Sequence, residues 1–262
     1  MTAFAHHFGF DFRTGIRNRS LLLLNYLFPL AFYFMMGFVM PGINPLFREA
    51  LLPAMIIFAI YSAAILGLPD PLVQARDSGI FRSYKINGVP RLNILTIPAL
   101  TTSLHLVIVA LIIAITAPLL FDAPAPVSWA NFLVVFLATL VAAAGLGVLI
   151  GVVSPNSRAT ILLSQLLFLP SMLIGGLMLP YSMLPRAAQM AARLLPSTHA
   201  MNAFKGLAMG QTADFSPWGG VVVLLSGGVL AFALAYVLFR WDSQHTTRRV
   251  PVVAGLLALL PY

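Results

Sequence analysis

The chain has 262 residues, of which 60% are hydrophobic and only 8% are charged, a composition too apolar for a water-soluble globular protein. Its net charge of +8 does not indicate nucleic-acid binding, because the basic residues are scattered around apolar segments instead of being gathered on one soluble region. The chain contains no cysteine, which excludes disulfides, thiolate metal sites and a cysteine nucleophile. We therefore expect an integral membrane protein that crosses the bilayer with helices.

The first twenty residues predict a helix that lies in the membrane interface. Apolar side chains recur there at every fourth position, at Phe4, Phe8, Phe12 and Ile16. The first span is expected at about residues 21–40. It is too long for the core of a signal peptide and no A-x-A cleavage site follows it, so we expect it to be retained.

A second span at about residues 50–68 leads into the charged stretch "QARDSGIFRSYKINGVPR", residues 74–91. Asp70 followed by Pro71 is typical of a helix start, and Gly88 is typical of a helix end. The sequence thus predicts an amphipathic helix over residues 70–88, interrupted at Gly79. One side of that helix carries Val73, Ile80, Phe81 and Tyr84, and the other carries Arg76, Ser83 and Asn87.

Four more apolar runs are long enough to cross the bilayer, at about residues 92–121, 130–153, 159–179 and 218–239. In the fourth span, Gly147 and Gly151 form a small-xxx-small pair that favours close helix packing. Residues 181–217 predict two short helices, 185–195 and 197–209, which form a re-entrant or interfacial pair because neither is long enough to span. The apolar tail 250–262 is also too short to span.

The fold class expected from these elements is an all-α integral membrane protein. It has six transmembrane helices, an N-terminal interfacial helix at residues 1–20, a cytoplasmic helix at 70–88 and the short helical pair before the sixth span, all in a single domain. With the N-terminus inside, eleven of the 15 lysines and arginines fall on the inner face and four, Arg48, Arg186, Arg193 and Lys205, on the outer face. The charged helix and both termini are therefore predicted to be cytoplasmic.

Few residues offer chemistry inside the membrane. All seven carboxylates fall in predicted loops, helix ends or surface helices, and His105 is the one ionisable side chain within a predicted span. An ion-coupled carrier or flippase that uses His105 remains an alternative, as does a packing role for this histidine. A membrane-embedded enzyme is disfavoured, because no cluster of metal-ligating or acid–base residues is found at depth.

The sequence also lacks a nucleotide-binding motif. A P-loop needs Gly-Lys before Ser or Thr, and the two lysines, Lys85 and Lys205, follow Tyr84 and Phe204. The segment "LSGGV", residues 225–229, is similar to the signature loop of an ABC ATPase, but it lies inside the sixth predicted span. We expect its glycines to serve helix packing.

Two stretches resemble the membrane subunits of ABC-2-type exporters, the class that includes DrrB-like drug-export permeases. The first is "ARDSGIFRSYKINGVPR", which is similar to the stretch after the second span of that family. The second is "GLGVLIGVVSPNSRATILLSQLLFLPSMLIGGLMLPYSMLPRAAQMAARLLPSTHAMNAFKGL", residues 145–207, with its glycines and prolines in one register. Ala75, where the family commonly has an acidic residue, and the apolar tail after Arg249 depart from the pattern.

The resemblance implies that the 70–88 helix is a coupling helix that docks into a separate cytosolic ATPase, of which the complex holds two copies. The residues expected to make this contact are Arg76, Asp77, Phe81, Arg82, Tyr84 and Lys85. The alternative is an interfacial helix whose basic side chains meet lipid headgroups. This chain is expected to hold no cofactor and no metal, since ATP and Mg²⁺ bind to the ATPase, and to have no catalytic residues of its own.

Six spans make half of such a transporter, so the resemblance also implies a homodimer or a heterodimer with a homologous permease in a bacterial inner membrane. The short helical pair would form an outer gate that includes Pro185, Arg193, Pro196 and His199, or would simply cap the bundle. Apolar or amphipathic cargo, such as a drug, a lipid or a lipid-linked glycan, is favoured. The aromatic residues available to line its passage are Tyr33, Phe34, Phe38, Phe58, Tyr61 and Phe168.

Overall fold

The computed structural model describes residues 8–9, 12–13, 19–45, 47–241, 258 and 261–262. Among these residues, six helices are long and apolar enough to cross a membrane, which confirms the fold class expected from the sequence. We name them spans 1 to 6: Leu23–Ile43, Phe47–Asp77, Arg91–Phe121, Trp129–Val153, Ser157–Ile174 and Pro217–Leu238. The interfacial helix predicted at 1–20 and the tail at 250–262 lie largely outside the described residues.

Three shorter α-helices are described between the spans, together with a 3-10 turn at Tyr181–Met183 and a π-helical turn at Phe204–Ala208. The helix Ile80–Ile86 lies between spans 2 and 3, and Arg186–Ala192 and Pro196–Ala203 lie between spans 5 and 6. Hydrogen bonds from the main-chain nitrogens of Val127 and Ser128 to the carbonyl of Ala208 bring the loop after span 3 against this second pair. The short pair and the loops after spans 1 and 3 thus share one end of the bundle, and Ile80–Ile86 lies at the other.

Span 2 is the central helix of the bundle. In its most hydrophobic stretch of 18 residues, 94% of the residues are buried inside the protein, against 28% in the corresponding stretches of spans 1 and 5. As expected, one helical segment ends near residue 68, with a π-helical turn at Ser62–Gly67, and another begins beside Asp70, at Pro69–Asp77. The two are closer to one another than expected, because the backbone at Leu68 keeps helical angles, φ −72° and ψ −38°, and joins them into one run, Phe47–Asp77.

Glycines set the closest helix contacts of the fold. A Cβ atom at Gly147 would lie 2.0 Å from the carbonyl oxygen of Ala64 in span 2, and one at Gly151 would lie 3.0 Å from that of Pro69. On another side of span 4, a Cβ at Gly145 would lie 2.3 Å from the carbonyl oxygen of Gly228. The packing roles expected for the span 4 pair and for the glycines of "LSGGV" are therefore confirmed.

Span 5 is shorter than expected. It ends at Ile174 instead of residue 179, because Gly175 packs against Ser197 and Gly176 takes a left-handed conformation with φ +90°. A Cβ at Gly175 would lie 2.1 Å from the Ser197 Oγ. The two glycines therefore turn the chain out of the membrane span and seat it against the helix Pro196–Ala203.

Candidate functional site

The charged stretch at residues 74–91 is divided between the end of span 2, at Asp77, and the separate helix Ile80–Ile86. Gly79 has φ +78°, a conformation that glycine adopts at no steric cost, and it separates the end of span 2 from the helix Ile80–Ile86. A second positive φ, +72° at Gly88, precedes span 3. The interruption expected at Gly79 is thus present. The side chains of the helix Ile80–Ile86 therefore do not continue the helical register of span 2.

Two residues of this stretch face the bundle. Arg76 is buried, with 8% of its surface exposed, and its Nη2 donates a hydrogen bond of 3.2 Å to the carbonyl oxygen of Pro155 between spans 4 and 5. Phe81 is 4% exposed, and its ring lies 5.4 Å from that of Phe239 at the end of span 6. The expectation that these two side chains are available to a partner protein is therefore wrong, because both hold the stretch against its own bundle.

The opposite side of the stretch is exposed and charged. Asp77, Arg82 and Lys85 are exposed, and Tyr84 is half-buried. Asp77 accepts a hydrogen bond of 3.1 Å from the Arg76 Nε, so the buried arginine also fixes this carboxylate. Ile80 and Ile86 add apolar surface, with 44% and 80% of their areas exposed. This side of the stretch therefore presents mixed charge around two exposed isoleucines.

The other end of the bundle carries the four residues expected in an outer gate. Pro185 and Pro196 directly precede or begin the two short helices, where proline is tolerated because no backbone donor is needed. The Arg193 Nε donates a hydrogen bond of 2.9 Å to the Tyr181 hydroxyl, and its guanidinium lies 5.5 Å from the Phe215 ring centroid. The structure thus brings Arg193 and His199 together, with Pro185 and Pro196 at the helix starts.

His199 is held at the junction of the two short helices. Its Nε2 lies 2.8 Å from the carbonyl oxygen of Arg193, which fixes the proton on that nitrogen as the donor. The ring packs edge-on to Phe215, 5.4 Å between centroids. Burial lowers the pKa of His199 below its ordinary value of 6.5, and this effect exceeds the opposing influence of the bonded carbonyl.

Acidification is expected to weaken this junction. Because the pKa is lowered in the folded protein, the contribution of His199 to stability is fully present above pH 6.5 and is lost as the pH falls from there towards the lowered value. Melting temperatures between pH 7.5 and pH 5 should therefore fall less steeply in His199→Gln than in the wild type. Equal slopes in the two proteins would contradict this assignment.

Sequence reasoning missed a polar cluster beside the outer helices. The Asn202 Oδ1 accepts hydrogen bonds from the main-chain nitrogens of Asp214 and Phe215, at 2.8 and 3.2 Å. Lys205 pairs with the Asp214 carboxylate at 3.3 Å. With Glu49 and Gln211 these residues line a cavity of about 160 Å³. The signal was weak because the cluster brings the first turn of span 2, at Glu49, against a segment that is more than 150 residues away in the chain.

Most of the aromatic residues proposed to line a passage pack within the chain. Tyr33, Phe58, Tyr61 and Phe168 are buried and Phe34 is half-buried, whereas 73% of Phe38 is exposed. The Tyr33 hydroxyl lies 2.9 Å from the Thr116 Oγ1, and the Phe58 and Phe168 rings are 5.9 Å apart. Within one chain these side chains tie spans 1, 2, 3 and 5 together and do not border an open channel.

His105 is buried in span 3. Its Nδ1 lies 2.7 Å from the Tyr26 hydroxyl, and its ring stacks on Phe12 with 4.5 Å between centroids. These contacts are those of a packing and hydrogen-bonding residue. Among the described residues, no group of three or more histidines and carboxylates is placed to hold a metal ion.

Tyr262 lies in the membrane-embedded part of the fold. Its ring packs against Gly227, in the middle of span 6, and its centroid is 6.1 Å from that of His199. The absent side chain of Gly227 makes this contact possible, because a Cβ atom there would lie 2.3 Å from the tyrosine ring.

The arrangement of six spans, a charged helix at one end and a short helical pair at the other agrees with a family comparison. The model of the ABC-2 type transporter family matches residues 7–209, more than three quarters of the chain. The chain belongs to the ABC-2 type transporter family. No curated protein and no solved structure gave a match.

Membership in this family identifies the kind of subunit that the chain forms. The ABC-2 family comprises membrane subunits of ABC transporters, so the chain is a multi-pass permease subunit that works with an ABC ATPase. The match covers spans 1 to 5 and both short helices, and it ends at Met209 before span 6. The resemblance inferred from residues 75–91 and 145–207 is thus confirmed at the level of the family.

Proposed function

We propose that this ABC-2 permease is half of the membrane part of an ATP-driven exporter in a bacterial inner membrane. It moves apolar or amphipathic cargo, such as a drug, a lipid or a lipid-linked glycan, out of the cytoplasm or the inner leaflet. The observation that carries the proposal is the two-sided stretch at residues 76–86. Arg76 and Phe81 fix it to the bundle, while Asp77, Arg82 and Lys85 are exposed.

This geometry suits the transmission of force. Arg76 ties the stretch to the turn between spans 4 and 5, and Phe81 ties it to the end of span 6. A push by a docked ATPase would therefore reach the bundle instead of being absorbed by a loose loop. In the proposed complex two ATPase subunits bind ATP and Mg²⁺, and each contacts the exposed side of one Ile80–Ile86 helix. Recovery of an ATPase at one copy per permease, after gentle purification from the native host, tests this arrangement.

The second membrane subunit is either another copy or a homologous permease. Span 5 offers it an apolar surface, because four leucines at helical spacing are each 51–71% exposed: Leu162, Leu166, Leu169 and Leu173. A helix this poorly buried by its own chain needs a partner or lipid around it. The passage would then lie between the two subunits, which agrees with the packed interior of the single chain.

Cysteine crosslinking is expected to locate this interface. The chain has no native cysteine, so single variants at the four span 5 leucines report one contact each. If the second subunit is another copy of the chain, at least one of them should give a disulfide-linked dimer in whole membranes, whereas Ile115→Cys, 60% exposed on span 3, should not. A dimer formed through Ile115→Cys but through none of the span 5 variants would place the interface elsewhere.

The short helices between spans 5 and 6 are proposed as the outer gate of this passage. Their contacts with span 5 run through Gly175 and the Ser197 Oγ, so a shift of span 5 would move the junction that holds Arg193 and His199. In the alternative role they only cap the bundle. Substitution of Arg193 by Gln then lowers stability without lowering the transport rate of the protein that remains folded.

An ATP-independent carrier is the second candidate, and the hydrogen bond between the buried His105 and the half-buried Tyr26 favours it. A hydrogen-bonded histidine in a span is the type of group that a proton-coupled carrier uses. Transport that persists without the ATPase and is lost in His105→Gln would support the carrier. Transport that needs the ATPase and survives His105→Gln would support the exporter.

A further inference from the structure

An apolar groove lies on the membrane-facing surface between spans 3, 4 and 6. Its volume is about 700 Å³, within the range of roughly 300–1,000 Å³ that is typical of ligand pockets. The groove includes Gly145 and Gly228, where the backbones of spans 4 and 6 approach so closely that no side chain fits between them. None of the residues discussed above for coupling or gating lines it.

The polarity of the groove suits a hydrocarbon chain. Alanine, leucine, valine and phenylalanine provide most of its lining. The two hydroxyls on its span 3 side are already used, since the Thr96 Oγ1 donates to the carbonyl of Leu92 at 2.8 Å and the Ser103 Oγ to that of Ala99 at 2.7 Å. A polar ligand would find few groups to bond there, whereas an alkyl chain requires none.

The length of the groove along span 3 matches the thickness of one leaflet of the bilayer. Along span 3 it extends from Leu92, next to the start of the helix, to Ser103. At a rise of 1.5 Å per residue this distance is about 16 Å. Half of a hydrocarbon core about 30 Å thick is about 15 Å. The groove therefore covers the leaflet on the side of the Ile80–Ile86 helix.

A positively charged side chain, Arg91, lies at the end of the groove where the lipid headgroups of this leaflet would be. The Arg91 guanidinium carbon lies 4.2 Å above the ring of Tyr236, which itself lines the groove. Arg91 is exposed, and no carboxylate in the described part of the chain forms an ion pair with it. A guanidinium beside an apolar slot at this depth is complementary to a phosphate attached to an acyl chain.

We propose that the groove binds an anionic phospholipid of this leaflet, with one acyl chain between spans 3, 4 and 6 and its phosphate on Arg91. The bound lipid is a component of the surrounding membrane and not the transported cargo. The acyl chain would lie against the closely packed backbones at Gly145 and Gly228, and so it covers the outer surface of the span 4 and span 6 pair. This site is independent of ATPase coupling and of the direction of transport.

Photolabelling of the full chain in nanodiscs tests the proposal. The probes are phosphatidylglycerol and phosphatidylcholine that carry a diazirine on one acyl chain, and mass spectrometry locates the label. We expect phosphatidylglycerol to label the groove segments of spans 3 and 6 in preference to phosphatidylcholine. In Arg91→Gln this preference should fall about five-fold, which corresponds to the roughly 1 kcal/mol that one basic residue contributes at an anionic membrane surface.

A matched pair of variants separates the groove from the general lipid surface. Ala233→Trp fills the groove, whereas Ser226→Trp places the same side chain on an exposed part of span 6 outside it. Labelling of the groove should drop several-fold in the first variant and stay unchanged in the second, while both proteins elute as folded species in gel filtration. Ala233 and Ser226 belong to neither the coupling surface nor the outer gate.

Three results would overturn the proposal. Equal labelling of the groove by both lipids in the wild type would remove the headgroup preference. Unchanged labelling in Ala233→Trp would show that the acyl chain lies elsewhere. A disulfide-linked dimer of Val237→Cys, a residue 71% exposed at the headgroup end of the groove, would show that a second copy of the chain covers it instead of lipid.

Discussion

Reversing the two exposed cations of the Ile80–Ile86 helix, in the double variant Arg82→Glu/Lys85→Glu, is expected to abolish recovery of the ATPase with the permease. Both side chains are exposed on the side away from the bundle, so the folded membrane part should keep its stability. Like charges placed across an interface destabilise it by several kcal/mol. The ATPase bound per permease, measured by quantitative mass spectrometry after purification, should therefore fall at least about tenfold, the equivalent of 1.4 kcal/mol.

Arg158→Glu is the control for this variant. Arg158 is exposed near the start of span 5, on the same end of the bundle, but outside the Ile80–Ile86 helix. If its charge reversal lowered ATPase recovery as much as the double variant did, the effect would come from the overall charge of that face. Normal recovery with the double variant would contradict the docking role, and the basic side chains would then belong to the lipid headgroup region.

Substituting Gly147 by alanine is expected to produce the largest loss of stability of any single methyl group added to this bundle. The new Cβ would lie 2.0 Å from the carbonyl oxygen of Ala64, and a backbone atom in the central span cannot move aside as a flexible side chain can. Overpacking of this kind typically costs about 1–3 kcal/mol, and a clash with backbone places the change at the upper end. Thermal unfolding of the purified protein, followed by size-exclusion chromatography, measures it.

Gly42→Ala in span 1 is the matched control. No atom lies within 4 Å of the position that its Cβ would occupy, so the same chemical change meets open space. Its unfolding temperature should equal or slightly exceed that of the wild type, since alanine favours helix by up to about 1 kcal/mol over glycine. Similar destabilisation by both variants would mean that helix flexibility, and not the contact between spans 2 and 4, requires the glycine.

The stretch at residues 76–86 shows why the sequence located helices and their interruption correctly along the chain, but did not predict which side chains face the bundle. Treated as one helix over 70–88, the sequence puts Arg76 and Phe81 on different sides. The φ of +78° at Gly79 divides the stretch into two helices, and both residues then face the bundle. A helical wheel is valid only within one continuous helix, so a correct prediction of the interruption still left the facing of these residues undetermined.

The sequence alone was sufficient for the six spans, the two short helices and the family. Water is absent from the hydrocarbon core, so every run of about twenty apolar residues must form a helix that satisfies its own backbone, and the lengths of the runs mark the spans. Glycines and prolines at fixed positions marked the small-residue packing of span 4 and the starts of the short helices. These features depend on neighbours in the chain, which the sequence displays directly.

Only the tertiary structure decided which faces of the spans meet protein and which meet lipid. A residue that faces lipid and one that faces another span are both apolar, so periodicity gives no polar side to orient the helix. The burial of span 2, the exposed leucines of span 5, the groove beside Arg91 and the cluster around Asn202 all arise from contacts between distant segments. The membrane acts as an apolar solvent, and it removes the contrast by which a sequence usually reveals its core.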